Sequence, residues 1–250
     1  MRIYQEEDYA GMSRRAAAII AAEVARDPAC VLGLATGSTP VGTYEQLAAW
    51  NREGLISFRE VHSVNLDEYK GLPGTHDQSY RYFMNKNLFE HVDIDIANTY
   101  VPDGLAADAE AECARYDALV ASLGYADLQL LGLGNNGHIG FNEPCDRFVK
   151  ETHVVDLTQS TIEANARFFA SAGDVPRQAL TMGIGCIMAA GRVLLVASGE
   201  AKAEALYQMI CGPITPACPA SILQLHSDVV VVRDKAALSK VTAAGVAVCG

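Results

Sequence analysis

A glycine-rich loop that carries an amide, an imidazole and a carboxylate is the part of this sequence best suited to chemistry. The loop follows the apolar stretch 128–133 and contains Asn136, His138 and Glu143. Its glycines permit positive φ angles and leave no Cβ in the way of a ligand. An imidazole close to a carboxylate is suited to proton transfer near neutral pH. Glycine-rich loops also occur as plain tight turns, so other segments must decide between the two interpretations.

The segment around Gly37 offers hydrogen-bond donors for a phosphate group. Gly37 permits a tight turn, its neighbours carry hydroxyl groups, and Pro40 suits the first position of a helix. The free N–H groups at a helix start attract anions. The alternative is an ordinary hydroxyl N-cap of that helix. The residues predicted to hold the phosphate are Thr36, Gly37, Ser38 and Thr39.

Charged side chains lie near other predicted strand ends. Asp67 and Glu68 follow the apolar stretch 61–66, and such adjacent carboxylates can serve catalysis, cap a helix or remain surface charges. Lys202 falls in the predicted first turn of a helix, where a cation opposes the helix dipole. It is therefore interpreted as a partner for a bound anion. Arg167 is a further candidate cation, or a solvated residue on its own helix.

Composition limits the partners and the compartment. The 250 residues carry a formal charge of −11, which disfavours nucleic acid and anionic membrane surfaces as partners. The acidic start lacks the apolar core of a signal peptide, and no apolar run reaches membrane-spanning length, so a cytoplasmic location is predicted. The histidines and cysteines show no metal-ligand spacing, and no dinucleotide-binding glycine motif opens a helix. Neither a metal nor a cofactor is therefore expected.

Apolar strands alternate with helical patterns along the chain. The alternation predicts an α/β fold, a doubly wound and mostly parallel sheet with helices on both faces in a Rossmann-like three-layer sandwich. No linker or repeat divides residues 1–250, so one domain is expected. Ligands of such sheets bind beyond the carboxyl ends of the strands. The predicted strands are 30–35, 61–66, 99–102, 128–133, 153–157, 192–197 and 228–232, and the predicted helices are 6–26, 40–50, 80–89, 106–122, 160–170 and 200–210, with a short helix from 236.

The loop and the carboxylate pair belong to a set of segments that together resemble the glucosamine-6-phosphate deaminases, of the glucosamine/galactosamine-6-phosphate isomerase family. Two of the matching segments are 134–144 and 65–69, and within them Gly137–Pro144 and Leu66–Tyr69 are highly specific. The similarity spans roughly residues 1–235. This family converts glucosamine 6-phosphate and water to fructose 6-phosphate and ammonium, a step of amino sugar catabolism. The remaining matching segments are 34–40, 78–80, 165–169, 179–185 and 223–226.

The resemblance implies roles for the residues singled out above. His138 would open the sugar ring by moving a proton between the ring oxygen and the anomeric hydroxyl, and Glu143 would orient it. Asp67 would carry the proton from C2 to C1, with Glu68 as a neighbouring support. The segment at about 157–180 resembles the family's mobile lid. The phosphate would be held by Thr36, Gly37, Ser38, Thr39, Arg167 and Lys202.

One departure concerns Asn136, where many relatives carry Asp and others carry Asn. An amide can still orient the imidazole of His138, but it adds no negative charge. Two rival functions stay open. A 6-phosphogluconolactonase of the same fold would share the loop, although it would not need Asp67, and a sugar-phosphate sensor would need no catalytic carboxylate. The sequence leaves open the preference between the gluco and galacto epimers and whether the chain forms a homo-oligomer.

Overall fold

The computed structural model describes residues 1–159, 162–163, 169 and 175–240. Its strands are β1 (Arg2–Glu6), β2 (Val31–Leu34), β3 (His62–Asn65), β4 (Asp67–Tyr69), β5 (Thr99–Tyr100), β6 (Leu128–Gly132), β7 (His153–Asp156), β8 (Gln178–Thr181), β9 (Arg192–Ala197) and β10 (Val229–Asp234). Its α-helices are α1 (Tyr9–Arg26), α2 (Val41–Arg52), α3 (Tyr80–Asn87), α4 (Ala109–Ser122), α5 (Ile184–Met188) and α6 (Ala203–Cys211).

Seven strands form one parallel sheet in the order β1-β10-β9-β6-β2-β3-β5. From β2 the chain proceeds outward to β3 and β5, whereas β6, β9 and β10 follow one another on the other side. The direction of winding therefore changes between β2 and β6. Sheets of this type bind ligands beyond the carboxyl ends of the strands, at the point where the direction of winding changes.

The central strand β6 shows that both faces of the sheet are covered. Leu130 and Leu131 are adjacent, so their side chains point to opposite faces, and both are fully buried. The polar residue between the apolar ones also has a packing reason. The side chain of Gln129 lies over β2 at Gly33, where a Cβ would come within 2.1 Å of its amide oxygen. These observations confirm the predicted α/β fold with a mostly parallel, three-layer arrangement.

A second, three-stranded antiparallel sheet lies beside the main one, in the order β4-β8-β7. The sequence patterns predict no strand at β4 or β8. Strand β4 is only three residues long and two of them are charged, so it lacks the apolar alternation that marks a strand. Because β4 begins two residues after β3 ends, Asp67 lies close to the carboxyl end of β3 in the large sheet.

The predicted helix over 6–26 starts too early. Residues 2–6 form β1, which pairs with β10 at the edge of the sheet, and α1 begins at Tyr9. The Asp8 side chain accepts a hydrogen bond from the Gly11 N–H at 2.8 Å and so caps the helix. A short edge strand with charged residues resembles the polar entry to a helix, which explains the error. In the described part of the chain, no helix is both long and apolar enough to cross a membrane.

Candidate active site

The loop after β6 is folded tightly around its glycines. The Gly134 N–H donates to the His138 carbonyl oxygen at 2.9 Å, and Gly137 and Gly140 have φ angles of +86° and +57°. A Cβ on Gly134 would lie 2.4 Å from atoms of the His138 ring. The imidazole therefore packs directly on the loop backbone, and glycine at this position gives it room.

Three side chains of this loop form a connected group. The Asn136 amide donates to Glu143 Oε2 at 2.7 Å, and its oxygen accepts the backbone N–H of His138 at 3.1 Å. Glu143 Oε2 lies 3.4 Å from His138 Nδ1, and the Glu143 side chain is only 7% exposed. Asn136 thus contacts the backbone of His138 and the carboxylate beside it, rather than the imidazole as expected from the sequence. The side chain that approaches the imidazole itself is Glu143.

The Asp67 carboxylate lies against this loop from the other side. The residue is 5% exposed, and its Oδ2 is 3.5 Å from the point that a Cβ on Gly140 would occupy. Burial, and to a lesser extent the charge of Glu68, raise the pKa of Asp67 to about 8. A carboxylate with this pKa can both accept and return a proton near neutral pH, which is what a shuttle between two carbon atoms requires.

Glu68 has a different task from its neighbour. Its carboxylate accepts hydrogen bonds from the backbone N–H groups of Tyr69, Tyr80 and Arg81 at 2.8 to 2.9 Å. Because the last two belong to the first turn of α3, Glu68 caps this helix. Burial raises the pKa of Glu68, although these N–H groups act in the opposite direction. Of the interpretations left open by the sequence, helix capping is the one observed for Glu68. Its influence on Asp67 is electrostatic.

The segment after β2 makes a tight turn at Gly37 before α2 begins. Gly37 adopts a φ angle of +97°, Ser38 is exposed, and α2 begins immediately afterwards with no side-chain hydrogen bond at its cap position. The alternative of a hydroxyl N-cap is therefore not observed. Burial raises the pKa of Tyr80, the first residue of α3, well above its ordinary value, and the Thr36 side chain acts in the opposite direction.

Tyr9, the first residue of α1, is hydrogen-bonded to the loop around Gly37. Its hydroxyl donates to the Ser38 carbonyl oxygen at 3.1 Å and accepts the Gly42 N–H at 2.8 Å. One side chain therefore holds both the loop and the first turn of α2. This contact was not predictable from the sequence, because Tyr9 is 29 residues away from Ser38 and belongs to no recognisable motif.

Lys202 ends a 3-10 turn, Glu200–Lys202, which follows β9 and precedes α6. Asp234 holds the start of the turn, since its carboxylate accepts the hydroxyl of Ser198 at 2.5 Å and the N–H of Gly199 at 3.0 Å. Lys202 is half-buried, and burial lowers the pKa of its ammonium group. Among the described residues it forms no ion pair, so it is available for an anion.

Two predicted features lie wholly or partly outside the residues that the structure describes. Arg167 is not among the described residues, and the proposed lid at 157–180 is described only in part. One of its residues, Phe169, packs edge-on against Tyr69 with ring centroids 6.0 Å apart. In the described part of the chain, no three His, Cys, Asp or Glu side chains are grouped so that they could hold a metal ion.

Comparison with known proteins decides the family. The model of the family "Glucosamine-6-phosphate isomerases/6-phosphogluconolactonase" matches residues 5–232. The chain belongs to this family. The glucosamine-6-phosphate deaminase of Lachnoclostridium phytofermentans is 57% identical to it, over 93% of this chain and 98% of the relative. That of Clostridioides difficile is 54% identical, over 96% of each chain.

Solved structures agree with this assignment. A structure described as a monomeric glucosamine-6-phosphate deaminase has a TM-score of 0.93 and 48% identity, over 96% of this chain and 99% of that one. A 6-phosphogluconolactonase from Trypanosoma cruzi has a TM-score of 0.76 but only 18% identity, so it shows a shared fold alone. The resemblance to the glucosamine-6-phosphate deaminases is thereby confirmed.

The site of this isomerase/lactonase family member also contains residues that the sequence motifs did not indicate as functional. Tyr80 stacks on Phe141 with an interplanar angle of 12° and so packs α3 against the loop that follows β6. The Phe141 N–H donates to the hydroxyl of Thr181 at 3.0 Å. Tyr80 and Thr181 lie in segments that match the family, yet their residue types carry no chemical signal without the contacts.

Proposed function

We propose that this protein is a glucosamine-6-phosphate deaminase that converts D-glucosamine 6-phosphate and water to D-fructose 6-phosphate and ammonium. The observation that carries the proposal is the placement of Asp67. A buried carboxylate with a pKa of about 8 lies against the loop that holds His138 and Glu143. The family also contains lactonases, but lactone hydrolysis needs no carboxylate to move a proton between neighbouring carbons.

The reaction begins with ring opening at His138. The imidazole takes the proton of the anomeric hydroxyl and delivers it to the ring oxygen, which breaks the bond between C1 and that oxygen and leaves an aldehyde. Glu143, 3.4 Å from Nδ1, stabilises the imidazolium that exists between the two transfers. Asn136 keeps Glu143 in place through its 2.7 Å hydrogen bond.

Asp67 then carries out the isomerisation. Its carboxylate removes the proton from C2 while O1 takes up a proton from solvent, which gives an enolamine. The carboxyl group then returns the C2 proton to C1, which leaves a protonated imine at C2; that extra proton leaves with the amine as ammonium. Water adds to the imine carbon, and the resulting carbinolamine releases ammonia to give the ketose. A single carboxylate suffices for both transfers because C1 and C2 are adjacent on the same face of the enolamine.

The phosphate is assigned to the loop after β2 and to Lys202. The loop contributes Thr36, Gly37, Ser38 and Thr39 together with the first N–H groups of α2, and Lys202 adds a positive charge from the end of β9. Arg167 is proposed to add a second charge, by its resemblance to the family. The remote phosphate then anchors the sugar while C1 and C2 are exposed to Asp67.

The proposal is tested by measuring both products. Purified protein supplied with glucosamine 6-phosphate should release ammonium and fructose 6-phosphate in equal amounts. 6-Phosphogluconolactone and galactosamine 6-phosphate serve as competing substrates in parallel reactions. Turnover of the lactone without ammonium release from either amino sugar would contradict the proposal. Binding of sugar phosphate without any turnover would favour a sensor instead.

Replacing Lys202 with methionine should raise KM by about 10- to 100-fold and change kcat little. The expected size follows from the loss of one hydrogen bond to a charged group, about 1.5–3 kcal/mol. The matched control is Lys235→Met, which removes an exposed lysine that pairs with Glu7. Steady-state kinetics on both variants checks the assignment. Equal KM values for Lys202→Met and Lys235→Met would contradict it.

Tyr9→Phe should raise KM by about 3- to 10-fold through the phosphate loop. The variant loses both hydrogen bonds that tie Ser38 and Gly42 to α1, but Tyr9 is 37% exposed, so water replaces part of the loss. Tyr4→Phe is the control, because the ring of Tyr4 packs under Arg15 instead. A KM that rises equally in the two variants, or in neither, would show that Tyr9 does not position the loop.

A further inference from the structure

Thr181 stands beside Asp67 in the small antiparallel sheet. Strand β8 lies between β4 and β7, and its last residue, Thr181, is directly opposite Asp67 on one side and His153 on the other. Residues opposite each other in antiparallel strands project to the same face, with Cβ atoms about 4.5–5.5 Å apart. Thr181 is fully buried.

The Thr181 hydroxyl also touches the catalytic loop. Its oxygen accepts the Phe141 N–H at 3.0 Å and lies 3.1 Å from the point that a Cβ on Gly140 would occupy. Asp67 Oδ2 is 3.5 Å from that same point. The hydroxyl and the carboxylate therefore share the space above Gly140, and the missing side chain of this glycine provides that space.

The hydrogen bond with Phe141 uses the hydroxyl only as an acceptor. Its own proton has no acceptor in hydrogen-bond geometry among the described residues. A buried hydroxyl that keeps a free proton next to a carboxylate is placed to donate to it, or to a substrate oxygen held beside it.

We propose that Thr181 is a positioning residue, which docks the Gly140–Phe141 backbone on β8 and thereby sets the distance between Asp67 and the carbon atoms it serves. The inference rests on the proposed deaminase function. Displacement of a reacting group by about 1 Å can reduce a rate by about 100-fold, so the contact has a kinetic consequence beyond its contribution to folding.

The test compares Thr181→Val, Thr181→Ser and Thr152→Val. Valine keeps the shape but removes the acceptor and the proton, whereas serine keeps both. Thr152 is a matched control because it is also buried and its hydroxyl also makes a hydrogen bond, to Asp117 at 2.5 Å. It immediately precedes β7 and has no role in the proposed reaction. Thermal unfolding of each variant is measured alongside kcat, KM and the isotope effect with C2-deuterated glucosamine 6-phosphate.

Thr181→Val should lower kcat by about 10- to 100-fold with KM within about threefold of wild type. It should also enlarge the isotope effect, because removal of the C2 proton becomes slower relative to the other steps. Thr181→Ser should recover most of the rate, and Thr152→Val should lose only thermal stability. If the valine variant does not fold, Thr181→Cys replaces it, since a thiol of similar size is a weak donor and acceptor.

The inference is overturned if the valine variant retains kcat within twofold, or if its isotope effect stays at the wild-type value. It is also overturned if the control loses kcat to the same extent, or if serine fails to restore the rate. Failure of the proposed function looks different. In that case wild-type protein itself does not turn over glucosamine 6-phosphate, and both proposals fall together.

Discussion

Asp67→Asn should lower kcat for glucosamine 6-phosphate by about 10²- to 10⁴-fold, the range typical for loss of a general base. The amide is nearly the same size as the carboxylate, so the buried position against Gly140 stays filled. It cannot accept a proton from C2. Substrate affinity should stay within about threefold of wild type, because the proposed phosphate site, formed by the loop around Gly37 and by Lys202, does not include Asp67.

Asp93→Asn is a suitable control for this substitution. Asp93 accepts hydrogen bonds from Asn51, Ser57 and Phe58, so its replacement perturbs a structural carboxylate network. It should reduce stability without lowering kcat. Calorimetric binding and product assays on both variants separate binding from chemistry. An Asp67→Asn enzyme with kcat within tenfold of wild type would exclude Asp67 as the base.

The second large effect is a dependence of both activity and stability on pH, set by the raised pKa of Asp67. Because the proposed base is the ionised form of Asp67 and its pKa is about 8, kcat/KM should fall about tenfold per pH unit well below that value. Because half of the carboxylate is ionised at pH 8 and about one hundredth at pH 6, the expected loss between these values is about 50-fold. A profile that stays flat over this range would mean that the free enzyme holds Asp67 ionised at neutral pH.

Stability should change in the opposite direction. The pKa of Asp67 is raised in the folded protein from an ordinary value of 3.8, so the folded state holds the proton more tightly than the unfolded chain. The resulting stabilisation of the folded state is complete below about pH 4. It decreases by about 1.4 kcal/mol per pH unit as the pH rises from there to about 8, where it has been lost. Asp67→Asn should therefore be more stable than wild type at pH 9, by several kcal/mol at most.

Chemical denaturation at pH 5, 7 and 9 measures this difference. The free energy of unfolding of wild type should fall relative to that of Asp67→Asn as the pH increases. Asp93→Asn again serves as the control, and its difference from wild type should not grow in this way, because hydrogen bonds lower rather than raise the pKa of Asp93. A gap between wild type and Asp67→Asn that does not change with pH would contradict the assigned state of Asp67.

The main sheet was predictable because its strands carry a strong local signal. The adjacent leucines of β6 are apolar on both faces, as expected for a parallel strand covered by helices, and the polar loop after it marks the site. Strands β1 and β4 escaped prediction because their residues are polar or charged and their pairing partners are distant in the sequence. Tertiary pairing, not local pattern, makes them strands.

Within the site, residue types with chemistry of their own were predictable, and supporting contacts were not. Asp67, His138 and Glu143 stand out as ionisable groups at strand ends. The contact of Asn136 with Glu143, the capping of α3 by Glu68 and the tether from Tyr9 to the phosphate loop depend on distances between segments. Spacing along the chain does not contain those distances.

The most direct test of the central claim follows the proton from C2. C2-deuterated glucosamine 6-phosphate is converted in ordinary water, and the position of the label in the product is read by nuclear magnetic resonance. Because Asp67 is 5% exposed, a measurable fraction of the deuterium should appear at C1 of fructose 6-phosphate. Deuterium that stays at C2 of an aldose product would show direct displacement of the amine, and would contradict proton transfer by Asp67.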